Sequence, residues 1–339
     1  MQPLRSKSNP APWAGIIFGL IFLAVWFWTP ITRTVNTWFS DTAIAVCKPY
    51  SFHLQQPGLG MCVSPDGHFL ATADERSFAL WNIHSRKIVT RITLDQNIER
   101  IAYSNDGKTL IMMTDDSVKF WDTQRWTITR SFNHASFGGL SELTHLSAPS
   151  GDQLIAAFTD AGHEYVNIYD AAAEKTLLQI GSEYKNYLSF DSSCNLLAGY
   201  SRRHARIAVW NMTSGEQEDT ILADEFAGVL RISPNGRYLA WSARGRVLLY
   251  DRMTKKSNTI YHDMPYRLPL TAFSPDSSKI AVSQRDGIQL YETASGELTA
   301  TLSSTSSDYM SLDFSQDGNT AAANYENEST VDIWDLSGK

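Results

Sequence analysis

Polar and apolar positions in this chain fall into a short pattern that recurs along most of its length. The stretch "SNDGKTLIMMTDDSVKFWD", Ser104 to Asp122, runs a tight turn, an apolar run, a second polar turn and an alternating strand ending in Trp-Asp. The turn returns as "SPDG" at Ser64, "APSG" at Ala148, "DSSC" at Asp191, "SPNG" at Ser233, "SPDS" at Ser274 and "SQDG" at Ser315. Including Ser104, these starts lie 40, 44, 43, 42, 41 and 41 residues apart, a spacing regular enough to mark seven copies of one unit. Pro at the first corner fixes φ, and Asp, Asn and Gly accept tight-turn backbone, so each copy predicts a strand-to-strand turn. Cys194 and Ser277 stand where Gly is expected.

Each turn leads into a short apolar run, such as "FLATA" at Phe69 or "TLIMM" at Thr109, which predicts a strand buried on both faces. A second strand follows: "SFALWN", "SVKFWD", "YVNIYD", "RIAVWN", "RVLLYD", "GIQLYE" and "TVDIWD". Period-two alternation gives it two distinct faces. Its aromatics are Trp81, Trp121, Tyr169, Trp210, Tyr250, Tyr291 and Trp334, and a large ring at one fixed place suits packing against the neighbouring unit. A further strand comes after it, as in "KIVTRITL" from Lys87 and "ELTATL" from Glu297.

Four short antiparallel strands per unit, ending in Trp-Asp or a near equivalent, resemble the WD-repeat β-propeller family. The resemblance covers Tyr50 to Asp335. It implies an all-β fold, a seven-bladed propeller of four-stranded antiparallel blades, and a protein-binding role. No copy has the Gly-His pair at the place it takes in eukaryotic-type repeats, so the buried His-Asp network that goes with it is not implied, and the chain looks like a divergent, bacterial-like member. Four residues follow Asp335, which leaves the seventh unit with three strands of its own. "YSFHL", Tyr50 to Leu54, is expected to supply the fourth, because sharing one blade between the two ends removes unpaired edges. That strand then enters from the face that carries the "SPDG"-type turns.

The first residues follow another pattern. No charged residue lies between Lys7 and Arg33, and "PWAGIIFGLIFLAVWFWTPIT", Pro12 to Thr32, is almost wholly apolar and long enough to cross a bilayer as a helix. Trp13, Trp26, Phe27 and Trp28 suit the headgroup boundary. A cleaved signal peptide fits less well: "AIA" at Ala43 to Ala45 and the "IAVC" ending at Cys47 both lie too far beyond the apolar run. The sequence thus predicts a tail at 1–11, a signal-anchor transmembrane helix at 12–32, a linker at 33–49 and a propeller at 50–339. Arg5 and Lys7 before the span, against Arg33 and Lys48 after it, lean towards a cytoplasmic N-terminus and a propeller outside the cytoplasm, periplasmic or extracellular. With the linker approaching the turn face, that face is expected to look towards the membrane.

Composition narrows the chemistry. A net charge of −7 and a pI near 5.6 argue against nucleic acid as a partner. Cys47, Cys62 and Cys194 are too scattered for a zinc site, and the histidines show no ligand spacing, so no metal or cofactor is expected. A Cys47–Cys62 bridge is left open. No G-x-S-x-G elbow, H-E-x-x-H helix or glycine-rich phosphate loop occurs, which argues against an enzyme. Asp115-Asp116 is a solvated pair in a loop, since neighbouring side chains there need not converge.

Loops on the face away from the membrane sort by charge. Units four to six contribute Arg202, Arg203, Arg206, Arg244, Arg267 and Arg285, with Tyr184, Tyr187, Tyr200 and Tyr266 among them. Units one, two and seven contribute Asp74, Glu75, Asp95, Glu99, Asp115, Asp116, Glu326 and Glu328. Arg and Tyr are enriched where interfaces carry their energy, so the basic-aromatic sector is the candidate seat for a partner segment, against the plain alternative of solvated loop tips. The long insertion "NHASFGGLSELTH", Asn133 to His145, presents Phe137 as a second candidate contact. The reading is a membrane-tethered, non-enzymatic scaffold for a protein or peptide partner. Two others stay open: an enzyme or accessory subunit with a cofactor in the central channel, and a structural part of an envelope or secretion assembly.

Overall fold

The computed structural model describes residues 45–47, 50–53, 60–133, 142–150, 153–159, 165–170, 175–184, 187–223, 228–262, 269–285, 287–304, 309–325 and 330–337. The Pro12–Thr32 segment lies outside them, as do most of the linker, Phe137, Tyr266, Arg267, Glu326 and Glu328. Among the described residues no helix is long and apolar enough to cross a membrane. Apart from one 3-10 turn, Ser182–Tyr184, their regular structure is all strand.

Seven antiparallel sheets of four strands follow one another along the chain. In the first, Gly60–Val63, Phe69–Ala73, Ser77–Asn82 and Lys87–Thr93 pair in chain order. The other sheets repeat this order, and the last is completed from the other end of the chain. The leading strands of the seven sheets are Gly60–Val63, Ile98–Tyr103, Glu142–Ser150, Leu188–Phe190, Leu230–Ile232, Thr271–Phe273 and Tyr309–Phe314. Each touches the next, and the seventh touches the first, so the leading strands enclose a common axis. Seven sheets ringed in this way fit a propeller.

The turn pattern has a side-chain cause. Ser64 donates its hydroxyl to Asp66 at 2.6 Å and accepts the Phe69 N–H at 2.8 Å, which locks the turn across its base. The same pair of bonds recurs at Ser104, Ser233, Ser274 and Ser315. In the fourth copy Asp191 takes the serine's place and accepts the Leu196 N–H at 2.8 Å. Burial pushes the carboxyls of Asp66, Asp276 and Asp317 up, but the serine hydroxyls and nearby N–H donors outweigh it and hold them below the usual range. Gly67 closes its turn at φ 71°, and Cys194 and Ser277 take the same left-handed conformation, at 54° and 62°, despite carrying a Cβ.

Neighbouring turns are knitted together around the axis. Asp317 donates its N–H to the Pro65 carbonyl at 3.3 Å, Ser192 its hydroxyl to Pro234 at 2.9 Å, and Asn235 its N–H to Ser277 Oγ at 3.1 Å. The Asn105 side chain reaches the Ser192 carbonyl, at 2.8 Å, past the intervening third sheet.

The repeat aromatics join sheet to sheet. Trp121 meets Phe78 of the first sheet edge-on at 5.4 Å, and Trp210 packs on Val166 and Ile168 of the third. Tyr250, Tyr291 and Trp334 each sit in a cluster with the sheet before, and Trp81 clusters with Val331 and Ile333 of the seventh. All six are at most 9% exposed, whereas Tyr169 is half-buried. Two polar groups anchor the rings: the Trp81 indole donates to Thr72 Oγ1 and that of Trp334 to the Ser303 carbonyl, both at 3.0 Å.

The seventh sheet has Tyr50–His53 as its outer strand, antiparallel to Thr330–Asp335 with Tyr50 opposite Ile333. Just before it, Ala45–Cys47 lies on the outer edge of the sixth sheet, parallel to Leu298–Ser303 with Ala45 opposite Ala300. The sequence assigns these three residues to the linker; the structure makes them a fifth strand of that sheet. No alternation of side chains marks so short an edge strand, because its bonds are made by backbone alone.

Candidate functional site

Loops joining the second and third strands of each sheet form the face opposite the turns. In the fourth to sixth sheets it presents Arg202, Arg203, Arg244 and Arg285, all exposed. Arg244 and Gly245 make a two-residue hairpin with φ of 40° and 76°, which holds the arginine at the tip. Arg202 donates from Nη2 to the Tyr187 hydroxyl at 3.0 Å, and the Tyr187 ring stands edge-on to Tyr200 at 5.8 Å. Tyr184 and Tyr200, at 4% and 3% exposure, sit in the core, and Tyr184 meets Trp210 edge-on at 4.8 Å. Arg206 is half-buried at the start of its strand, and its buried Nε has no hydrogen-bond partner among the described residues. The structure therefore brings Tyr187, Tyr200 and Arg202 together, and turns Tyr184 and Tyr200 inward because each fills space beside a neighbouring ring.

The acidic side of this face is made by the first and second sheets. Glu75, Asp95, Glu99, Asp115 and Asp116 are exposed. Asp74 instead caps its own hairpin by accepting the Ser77 N–H at 2.6 Å. Asp116 accepts from Thr114 at 3.1 Å and from Gln96, and hydrogen bonds led by Ser117 hold its carboxyl below the usual range.

Two clefts on the turn face are lined by described residues. One, of about 400 Å³ between the seventh and first sheets, is lined by Asp66, His68, His84, Arg86, Asp317 and Asn319 among others, with His68 Nδ1 3.3 Å from Asp66. The other, of about 550 Å³ at the seam of the fourth and fifth sheets, is walled by an ion network. There Arg252 donates to Asp219 at 2.7 Å, Glu218 at 2.8 Å and the Gly236 carbonyl at 2.7 Å, while Lys255 also reaches Asp219. These groups neutralise one another, as befits a seam between sheets.

A third group of charges lies on the leading strands that ring the axis. Arg231 and Asp313 both stand two residues before their turn serine, at one level of the leading strands, and Arg100 stands two residues further from the turns. Asp313 accepts the Val63 N–H at 3.1 Å from the neighbouring first sheet and the Phe314 N–H at 2.9 Å. Burial raises its carboxyl to about 6, against the pull of those N–H groups and of Arg231. Ser189, at the matching place in the fourth sheet, accepts the Ile232 N–H of the fifth at 3.1 Å, so this position is where one sheet grips the next. Arg100, Arg231 and Asp313 escape a sorting of loop charges because they lie inside strands. For Arg231 and Asp313 the sequence does carry a signal: copies one to four and six have Cys62, Ala102, Leu146, Ser189 and Ala272 at this place, and a charge stands out among them.

Cys62 and Cys194 are free and buried, so no Cys47–Cys62 bridge is formed. Burial, reinforced by the Asp313 charge, pushes the Cys62 thiol well up, which makes it an unreactive packing group. Among the described residues no group of three His, Cys, Asp or Glu side chains could hold a metal ion.

No family profile matches the chain. A search of curated proteins found similarity to the Target of rapamycin complex subunit wat1 of Schizosaccharomyces pombe (strain 972 / ATCC 24843), 28% identical over 108 residues. The match takes in 31% of this chain and 34% of that protein, so the chain aligns with about a third of its relative. This distant likeness and the seven four-stranded sheets fit a WD-repeat propeller.

Proposed function

We propose that this protein is a membrane-tethered, non-enzymatic scaffold that holds a protein or peptide partner on the face opposite the turns, the one turned away from the membrane. Pro12–Thr32 is its single anchor, with the N-terminus cytoplasmic and the propeller outside the cytoplasm. The observation that carries the binding role is the division of charge on that face. Exposed Arg202, Arg203, Arg244 and Arg285 lie on the fourth to sixth sheets, and exposed Glu75, Asp95, Glu99, Asp115 and Asp116 on the first and second. Such a split selects a partner with the complementary order of charges and fixes its register. The distant likeness to a subunit of a complex supports the same class of role.

The test is affinity purification of the full chain in mild detergent with mass spectrometry, beside a variant with Arg202, Arg203 and Arg285 changed to Glu. Arg206 is spared because its buried Nε would confound folding with binding. A partner retained by the wild type and lost from the folded variant supports the reading. A partner held equally by both moves the contact elsewhere, and failure of the chain to stay with membranes in alkaline carbonate removes the tether.

A further inference from the structure

We propose that the axis of the propeller holds a small oxyanion, a phosphate or carboxylate group clasped between Arg100 and Arg231. Three observations converge on it. Arg231 is reached by solvent, yet protein surrounds it, the condition of a side chain in a wet channel. Of its donors, Nη1 bonds the carbonyl of its own neighbour Leu230 at 3.0 Å, and the rest have no protein partner among the described residues. Arg100, on the leading strand of the second sheet, is exposed and close enough for its charge to act on Arg231, and its guanidinium has no hydrogen-bond partner among the described residues.

The charges do not balance. Burial makes the Arg231 cation costly, and the Arg100 charge makes it costlier, while Asp313 offsets part of this. Asp313 is one carboxylate against two guanidiniums, and each of its oxygens is already engaged by a backbone N–H. The three groups carry a net charge of +1 when Asp313 is ionised and +2 when it is protonated. Two like charges in a confined space are a standing cost that an anion between them removes. The planar guanidinium fork matches the oxygen spacing of carboxylate and phosphate, which narrows the ligand to an oxyanion and disfavours a halide.

Arg100 stands further from the turns than Arg231, so a ligand that enters from the opposite face meets it first. This inference is separate from partner binding on the rim and survives if that reading fails.

The experiment is isothermal titration of the full chain in nonionic detergent with inorganic phosphate, and in a second arm with succinate, at constant ionic strength set by chloride. Saturable binding at one site per chain is expected for one or both anions. The preferred arm tells whether the natural ligand carries a phosphoryl or a carboxylate group. Arg231→Gln and Arg100→Gln should each weaken binding at least tenfold, Asp313→Asn should tighten it severalfold, and Arg125→Gln on the turn face should leave it unchanged. No saturable binding of either anion by the folded wild type overturns the proposal, as does equal weakening in Arg125→Gln. Loss of the fold in both arginine variants also overturns it, because the proposal gives these side chains no packing role.

Discussion

Val63 donates its backbone N–H to the carboxylate of Asp313 at 3.1 Å, a bond across 250 residues of sequence that joins the first sheet to the seventh beside the axis. Asp313 makes this bond while buried enough for its carboxyl to be raised from 3.8 to about 6. The folded chain therefore keeps a proton that the unfolded chain has released between about pH 4 and 6. The resulting stabilisation is fully present below the unfolded value and is lost as pH rises through the folded one. A rise of this size corresponds to at most about 3 kcal/mol, reduced by the solvent that reaches the channel. Urea titrations from pH 4 to 7 should show the wild type losing stability relative to Asp313→Asn across that window. Parallel curves would mean that Asp313 is ionised throughout.

Gly287 opens the third strand of the sixth sheet at φ 150°, and a Cβ there would lie 2.2 Å from the Leu302 carbonyl oxygen. Both partners are backbone, so nothing can swing aside. Gly287→Ala should cost about 2 kcal/mol or more in chemical denaturation. At Gly60 the nearest atom to a new Cβ is Ile101 Cγ1 at 4.0 Å, and Gly60→Ala should change stability by less than about 0.5 kcal/mol.

Asp332 is fully buried in the last strand, where the Tyr325 hydroxyl donates to it at 2.5 Å and Ser304 at 3.0 Å. This triad supplies the closing sheet with a satisfied polar core. Tyr325→Phe removes the shorter bond and should cost about 1–3 kcal/mol. Ser304→Ala should cost less, since the tyrosine still covers the carboxylate. Equal losses would mean that the triad acts as one unit, which a double mutant would then reveal.

Arg252 spans the seam of the fourth and fifth sheets with its side chain 13% exposed, and its partner Asp219 is 8% exposed. Arg237 makes a two-pronged pair with Asp251 but is 44% exposed. Burial should separate them: Arg252→Ala is expected to cost about 2 kcal/mol or more and to resist high salt, whereas Arg237→Ala should cost at most about 1 kcal/mol and be screened. Thermal denaturation at low and high salt distinguishes the two.

Much of the architecture was legible because the repeat writes it several times over. The strands Ser77–Asn82, Ser117–Asp122 and Thr330–Asp335 coincide with the quoted alternating segments, since the two-residue period and the ring at a fixed place are side-chain signals. Ala45–Cys47 was not legible, because a short parallel edge strand is bound through backbone and leaves no pattern of its own. On the candidate face, the composition of the loops revealed the charge but not which rings turn inward. Tyr184 and Tyr187 lie three residues apart, yet the first fills space against Trp210 while the second reaches Arg202. Arg231 and Asp313 lay in plain view at the residue two before the turn, and they gain meaning once the leading strands are seen to ring one axis.

The pairing of Tyr50–His53 with Thr330–Asp335 also sets a timetable for biosynthesis. The early strand emerges from the ribosome long before its neighbour exists, and its edge has no lasting partner until Asp335 has been made. Because such distant contacts come late and form slowly, the nascent chain passes through a stage with six sheets assembled and one ragged gap. In that interval the first sheet lacks the Asp313 grip, and Trp81 lacks Val331 and Ile333 to lie against. Completion of the ring thus waits for the synthesis of Thr330–Asp335, about 280 residues after the strand it must meet has left the ribosome.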